Sequence, residues 1–278
     1  MNFRVLTLAL IPLLASAADA PKDSCFDCHS VMEGTSVVFK DDVHYHNSLS
    51  CADCHGGDPK DDTANNSMSP DRGFKIRVTR QGTPEYCGRC HSDAAYMGKF
   101  NPQLRVDQLA LYTNSVHGKQ LAAGRKGAAE CVDCHSIHNI RAGSDPLSPA
   151  SPQHVTDTCA KCHAAAADLF RKSPHARFNN QRRPGCDTCH SSHATEPAGT
   201  AMFTGGTAVC VRCHNATSGG GRAAAEIAQF LSGLEAAGPG SSEALARARL
   251  AVHSFNLAAI KRAAEPPAPA PDAAPKSP

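Results

Sequence analysis

The chain has 278 residues, with 28 Lys and Arg against 26 Asp and Glu and a formal net charge of +2. It holds no Trp, aromatic residues make up 5% of it, and it carries 14 Cys and 15 His. A conventional domain of this length buries a large aliphatic and aromatic core, so this composition excludes one and asks for some other apolar mass.

Residues 1–20 begin with Arg4, run through the apolar "VLTLALIPLLA" and reach "ASAADA". A basic start, a short apolar stretch and a small-residue site make an export signal, with cleavage expected after residue 17. The apolar run is too short to span a bilayer. No transmembrane segment is expected in the mature chain, which belongs in the periplasm or an equivalent exported space.

From residue 25 onward the fourteen cysteines fall without remainder into seven C-x-x-C pairs, each followed at once by histidine. Site 1 is Cys25, Cys28 and His29; site 2 is Cys51, Cys54 and His55; site 3 is Cys87, Cys90 and His91. Site 4 is Cys131, Cys134 and His135; site 5 is Cys159, Cys162 and His163. Site 6 is Cys186, Cys189 and His190; site 7 is Cys210, Cys213 and His214. C-x-x-C-H is the attachment signature of c-type haem. Two thiols on one turn reach the two vinyl groups of one porphyrin edge, and the adjacent imidazole reaches the iron. A disulfide framework needs no histidine after every pair, and a zinc ribbon joins two pairs without one. A thioredoxin-like pair occurs once, beside a βαβ pattern. Seven covalently attached haem c groups are expected.

Porphyrin then supplies the missing apolar mass. The fold expected is mainly α with little regular structure: a haem-packed multihaem cytochrome c, with short helices and loops around a haem row and a helical hairpin at the C-terminus. Haem propionates turn the loaded protein acidic, so nucleic acid is not a partner.

The sites repeat at a higher level. Residues 115–163 read "SVHG", "CVDCHSIH" and "CAKCH", and residues 173–214 read "SPHA", "CDTCHSSH" and "CVRCH". A looser copy at 42–91 reads "DVHYH", "CADCHGGD" and "CGRCH", with Asp58 where the others have His138 and His193. Three two-haem modules follow one lone site, a repetition that points to stacked units with one continuous interior. The polar connectors at 56–73 and 141–153 read as surface loops. Residues 21–219 thus form a heptahaem domain. Residues 220–264 add a hairpin of two alanine-rich helices, 221–237 and 241–264, the second opening on Ser241 or Ser242 as N-cap. Residues 265–278 are a Pro/Ala-rich tail expected to be disordered.

Eight histidines remain for seven sixth-ligand positions: His44, His46, His117, His138, His154, His175, His193 and His253. His44 is preferred to His46, because "DVH" matches "SVH" at 115–117. His253 lies on a stripe with Leu250, Leu257 and Ile260, and Met97 is the rival for any gap. His138 stands three residues after His135, and three extended residues span at most ~10 Å. That is too short to round a porphyrin, so His138, and by the same argument His193, must serve a neighbouring haem.

The sequence resembles multihaem cytochromes c of the doubled C-x-x-C-H group over residues 25–214. Its last helix, "ARLAVHSFNLAAIKRA", resembles the C-terminal helix of pentahaem nitrite reductases and hydroxylamine oxidoreductases, where a histidine before an asparagine ligates a haem. His253 is the implied counterpart, although this chain reads His-Ser-Phe-Asn. The C-x-x-C-K site of pentahaem nitrite reductases has no counterpart here, which argues against that activity. The function expected is electron transfer along low-potential bis-histidine haems, in anaerobic respiration or extracellular electron transfer. Its partners would be a quinol dehydrogenase, other multihaem cytochromes or an extracellular acceptor, and a homo-oligomer or filament is a variant. The alternative is a reductase of a small nitrogen or sulfur compound at one five-coordinate haem.

Overall fold

The computed structural model describes residues 23–32, 34–177, 184–204 and 208–267. The export signal and residues 268–278 of the tail lie outside them. The described residues contain short helices and 3₁₀ turns and no strand. The described residues fall into two compact units, one drawn from residues 1–40 with 44–76 and the other from residues 41–43 with 77–278.

Most attachment motifs are one turn of helix with a purpose-built start. Residues i, i+3 and i+4 share a helix face, so helical backbone puts both thiols and the imidazole of C-x-x-C-H on one side. In the smaller unit the Asp23 carboxylate accepts from the Cys25 and Phe26 N–H groups at 3.1 and 3.3 Å, starting the helix Ser24–His29. Ser50 starts Cys51–His55: its hydroxyl accepts the Ala52 N–H at 2.9 Å, and Asp53 accepts the Ser50 N–H at 2.6 Å. Glu130 and Asp133 repeat that reciprocal cap in the larger unit, at 3.0 and 2.8 Å, for Cys131–His135. Each such cap satisfies amides that the first helical turn leaves open.

The smaller unit is held by Ser24 and by aromatic contacts. The Ser24 N–H donates to the Pro59 carbonyl at 2.8 Å and its hydroxyl to Asp62 at 2.6 Å, tying site 1 to the 56–73 loop. Tyr45 packs on Phe26 and Phe39, with ring centroids 5.3 and 5.7 Å away. The loop closes over two glycines with positive φ, Gly56 and Gly57. A Cβ on Gly57 would stand 2.2 Å from the Ser67 carbonyl oxygen.

The hairpin of the larger unit departs from expectation in detail. The long helix runs Gly219–Ala236, opened by the Ser218 hydroxyl, which accepts the Gly221 N–H at 3.0 Å. The second expected helix is broken: Ser242–Ala251 ends in a 3₁₀ turn, Val252–Ser254, and a new helix runs Leu257–Ala264. Two polar side chains cause the break. The Ser254 hydroxyl donates back to the Ala251 carbonyl at 2.7 Å, and Asn256 caps the new helix by accepting the Ala259 N–H at 3.1 Å. Ser241 precedes Ser242–Ala251 without capping it; its hydroxyl donates to the Leu234 carbonyl at 2.6 Å.

The buried face also differs from the expected stripe. Leu250 is 41% exposed, whereas Ala248, Ala251 and Ile260 are buried against Ile227 and Leu231. Fully burying a Leu or Ile side chain stabilises by roughly 1.5–3 kcal/mol, so this small cluster holds the three helices together. The 141–153 connector departs as well. Ser148 and Ser151 inside it are fully buried, because Asp145 and Ser148 fold the segment into bonded turns.

Candidate functional site

Four histidine pairs face one another in the larger unit. His135 and His193 stand 5.9 Å apart between ring centroids with planes at 8°. His190 and His253 are 6.0 Å apart at 22°, His117 and His163 6.3 Å at 42°, and His175 and His214 6.0 Å at 71°. An imidazole nitrogen binds a transition metal at roughly 2.0–2.1 Å, and the ring centre lies about 1 Å beyond, so two imidazoles on opposite faces of one iron stand about 6 Å apart. All four pairs have that spacing, and each joins one histidine of an attachment motif to one outside it. The residues fit haem.

Two rules emerge. Upstream histidines face the second site of their own module, His117 toward site 5 and His175 toward site 7. His193, three residues beyond site 6, faces site 4 of the preceding module instead. The backbone explains why it leaves its own site: Ser191 takes φ 63, and Ser136 and Gly56 take φ 65 and 70 at the equivalent positions. A left-handed residue directly after the proximal histidine turns the chain away. For a serine that conformation costs on the order of 1–3 kcal/mol.

The imidazoles are held neutral, the form in which they ligate iron. Burial pushes the pKa of His117, His135, His175, His190 and His193 below the ordinary imidazole value. The facing imidazole adds to that effect for all but His193. Backbone carbonyls orient two of the rings. His253 Nδ1 lies 2.9 Å from the Leu250 carbonyl oxygen and His55 Nδ1 2.9 Å from that of Lys75. A ring nitrogen engaged this way directs the other toward the metal.

The thiols set the sites in a row. The Cys87 and Cys131 thiols hydrogen-bond, and that contact, with burial, pushes the Cys131 thiol up. Cys159 and Cys186 share another such contact, which brings Cys186 down to about 7. Cys134 interacts with Cys162, and Cys189, pushed up to about 11 by burial, interacts with Cys210. Sites 3, 4, 5, 6 and 7 therefore follow one another in space as they do in sequence.

The remaining candidates are placed as follows. His44 is half-buried and His46 exposed, on the helix Val43–His46. His29 is half-buried, His91 is exposed, and His138 is half-buried with φ 59. Met97 is buried in the helix Ala94–Met97. Asp58 is bound by the Arg72 guanidinium. His154 is exposed and belongs to none of the four pairs; it lines an open cavity of about 290 Å³ with Pro149, Asp157 and Lys161.

Sequence reasoning missed two contacts at the paired sites. A Cβ on Gly220 would stand 2.3 Å from His214 Nδ1, so only glycine lets the proximal ring of site 7 lie against the opening of the long helix. Phe255 lies with its ring 4.2 Å from that of His175. The Gly-Gly-Gly run at 219–221 was a signal for the first; nothing local signals the second.

Two stretches match known family models: residues 43–163 match cytochrome c3, and residues 175–219 match the doubled CXXCH motif. With the geometry above they define the class, a multihaem c-type cytochrome that transfers electrons and binds haem c covalently. Site 1 and the hairpin lie outside both matches. No curated protein and no solved structure matches the chain. Among the described residues no helix is long and apolar enough to cross a membrane.

Proposed function

We propose that the chain is a seven-haem electron carrier of the periplasm or an equivalent exported space, with each iron closed by two histidines. The observation that carries this reading is the set of four imidazole pairs at iron-bridging spacing. Haem c supplies one-electron exchange at each site. At those four sites the paired imidazoles would hold the iron between them and leave no position for substrate, and histidine pairs favour lower potentials than His/Met ligation. The row from Cys87 to Cys213 supports a continuous route. The sixth ligands proposed are His117, His175, His193 and His253 at their facing sites, with His44, His138 and His154 for the rest. The redox partners proposed are a quinol dehydrogenase, another multihaem cytochrome or an extracellular acceptor.

Intact mass of the matured, denatured protein should equal apoprotein plus seven haems, and carbon monoxide should leave the reduced spectrum unchanged. Six haems or fewer in well-matured material would overturn the count. A second reading has one observation in its favour, the exposed and unpaired placement of His154. If one iron lacks its sixth ligand, carbon monoxide binds there and the protein turns over nitrite, hydroxylamine or sulfite.

A further inference from the structure

The break in the C-terminal hairpin serves two sites at once. His253, inside the 3₁₀ turn Val252–Ser254, faces His190 of site 6. Two residues on, Phe255 takes the left-handed conformation with φ 52 and ψ 31. That conformation is uncommon for a bulky residue and strains the backbone. Bonds on both sides impose it. The Phe255 N–H donates to the Val252 carbonyl at 2.8 Å, and the Ser254 hydroxyl and Asn256 cap fix the flanking helix ends. The strained turn sends the phenyl ring onto His175, centroid to centroid 4.2 Å, with planes at 70°.

His175 needs such a neighbour. A histidine ligand is ordinarily held in rotation by a hydrogen bond from its second nitrogen, as His253 is by the Leu250 carbonyl. His175 Nδ1 is buried and has no hydrogen-bond partner. Its rotation therefore falls to packing, and the T-shaped contact is of the kind aromatic quadrupoles favour. Its plane stands at 71° to that of His214, against 8° for the pair at site 4 and 22° at site 6.

We infer that Phe255 is a positioning residue for site 7: its ring fixes the rotation of His175 and so holds the two ligand planes of that iron near perpendicular. The inference rests on the reading of His175 and His214 as the two ligands of site 7. It makes the turn 252–256 a shared clamp that supplies the ligand of site 6 and orients the ligand of site 7.

Electron paramagnetic resonance of the oxidised, fully matured protein tests it. Near-perpendicular imidazole planes give a low-spin signal with a large principal g value, and near-parallel planes give a rhombic one. Phe255→Ala should remove one haem's share of the large-g intensity, with all haems still attached by mass and the site 6 iron still low-spin. Phe255→Tyr should behave like the parent, and Phe255→Leu, which keeps bulk without a flat ring, should resemble Phe255→Ala should the alanine variant mature poorly. An unchanged large-g envelope in both Phe255→Ala and Phe255→Leu would overturn the role. So would new high-spin iron from site 6, because the residue would then serve the turn and not His175. His175→Ala separates this from the underlying reading. It should give one high-spin iron; if every iron stays low-spin there, the ligand assignment fails first and the positioning role with it.

Discussion

The side chains that leave solvent completely differ in kind between two regions of the larger unit. In residues 41–43 and 77–214 they are polar: Asp42, Ser148, Ser151 and Ser173. In the hairpin they are apolar: Leu231, Ala248 and Ile260. Three of the polar ones, Asp42, Ser148 and Ser151, bond backbone groups, and the Ser173 hydroxyl has no hydrogen-bond partner. Asp42 accepts the Ile140 N–H at 2.6 Å, and Ser148 accepts the Ala150 N–H at 3.3 Å. The attachment region thus shuts only polar side chains fully away from solvent, and its buried apolar residues, Met97, Leu121, Val155, Ala167 and Phe170 among them, each keep a little exposure. The hairpin brings its own core. The contrast predicts that the attachment region needs its cofactor to be compact, whereas the hairpin supplies a ready-made wall with His253 on it.

The largest effect should come from withholding haem. In protein made without cytochrome c maturation, amide hydrogen exchange should be fast through 83–214. Protection should persist in Gly219–Ala236, Ser242–Ala251 and Leu257–Ala264. Equal loss of protection in both regions would remove the contrast. A smaller effect should follow Leu231→Ala, which opens a cavity in the hairpin core at a cost of about 2–5 kcal/mol. The matured variant should keep its haems yet show high-spin iron at site 6 on warming, before the other sites change, because His253 rides on the loosened hairpin. Simultaneous conversion of all sites would show that the hairpin is not a separate wall.

The same contrast governs what the sequence makes legible. Attachment motifs are legible because thioether chemistry demands fixed residue types at fixed spacing. That His193 must leave its own site is also legible, since chain length alone forbids the return. Which neighbour it meets depends on the φ 63 turn at Ser191, and a serine there announces nothing. In the hairpin, Leu250, His253, Leu257 and Ile260 suit one continuous helix equally well. The break depends on Ser254 and Asn256 competing for backbone groups, and the contact of Phe255 with His175 spans 80 positions that no periodicity links. Export, haem number and the ligand assignments are proposals; those at sites 4 to 7 rest on the facing imidazole pairs and the others on sequence alone.

The smallest effect separates the two regions by pH. In the attachment region the imidazoles of His117, His135, His175, His190 and His193 have native pKa values below the ordinary one, chiefly through burial. Above about pH 6.5 neither native nor unfolded imidazole binds a proton, and these groups add no pH dependence. Below it the unfolded chain protonates first, so stability falls with pH until the lower native values are reached. Bound iron also selects neutral imidazole, so the sign is the same in the loaded protein. The hairpin responds in another window. Hydrogen bonds from Thr200 and Arg249 hold the Glu235 carboxyl below its usual value, a contribution present above about pH 4.3 and lost as pH falls through the native pKa. Acidifying the matured protein from pH 7 to about 5 should therefore weaken low-spin ligation at sites 4 to 7, read by electron paramagnetic resonance. Hairpin amides should keep their exchange protection until about pH 4. Loss of both in one step near pH 4, with ligation unchanged at pH 5, would show that carboxylates and not imidazoles set the acid limit.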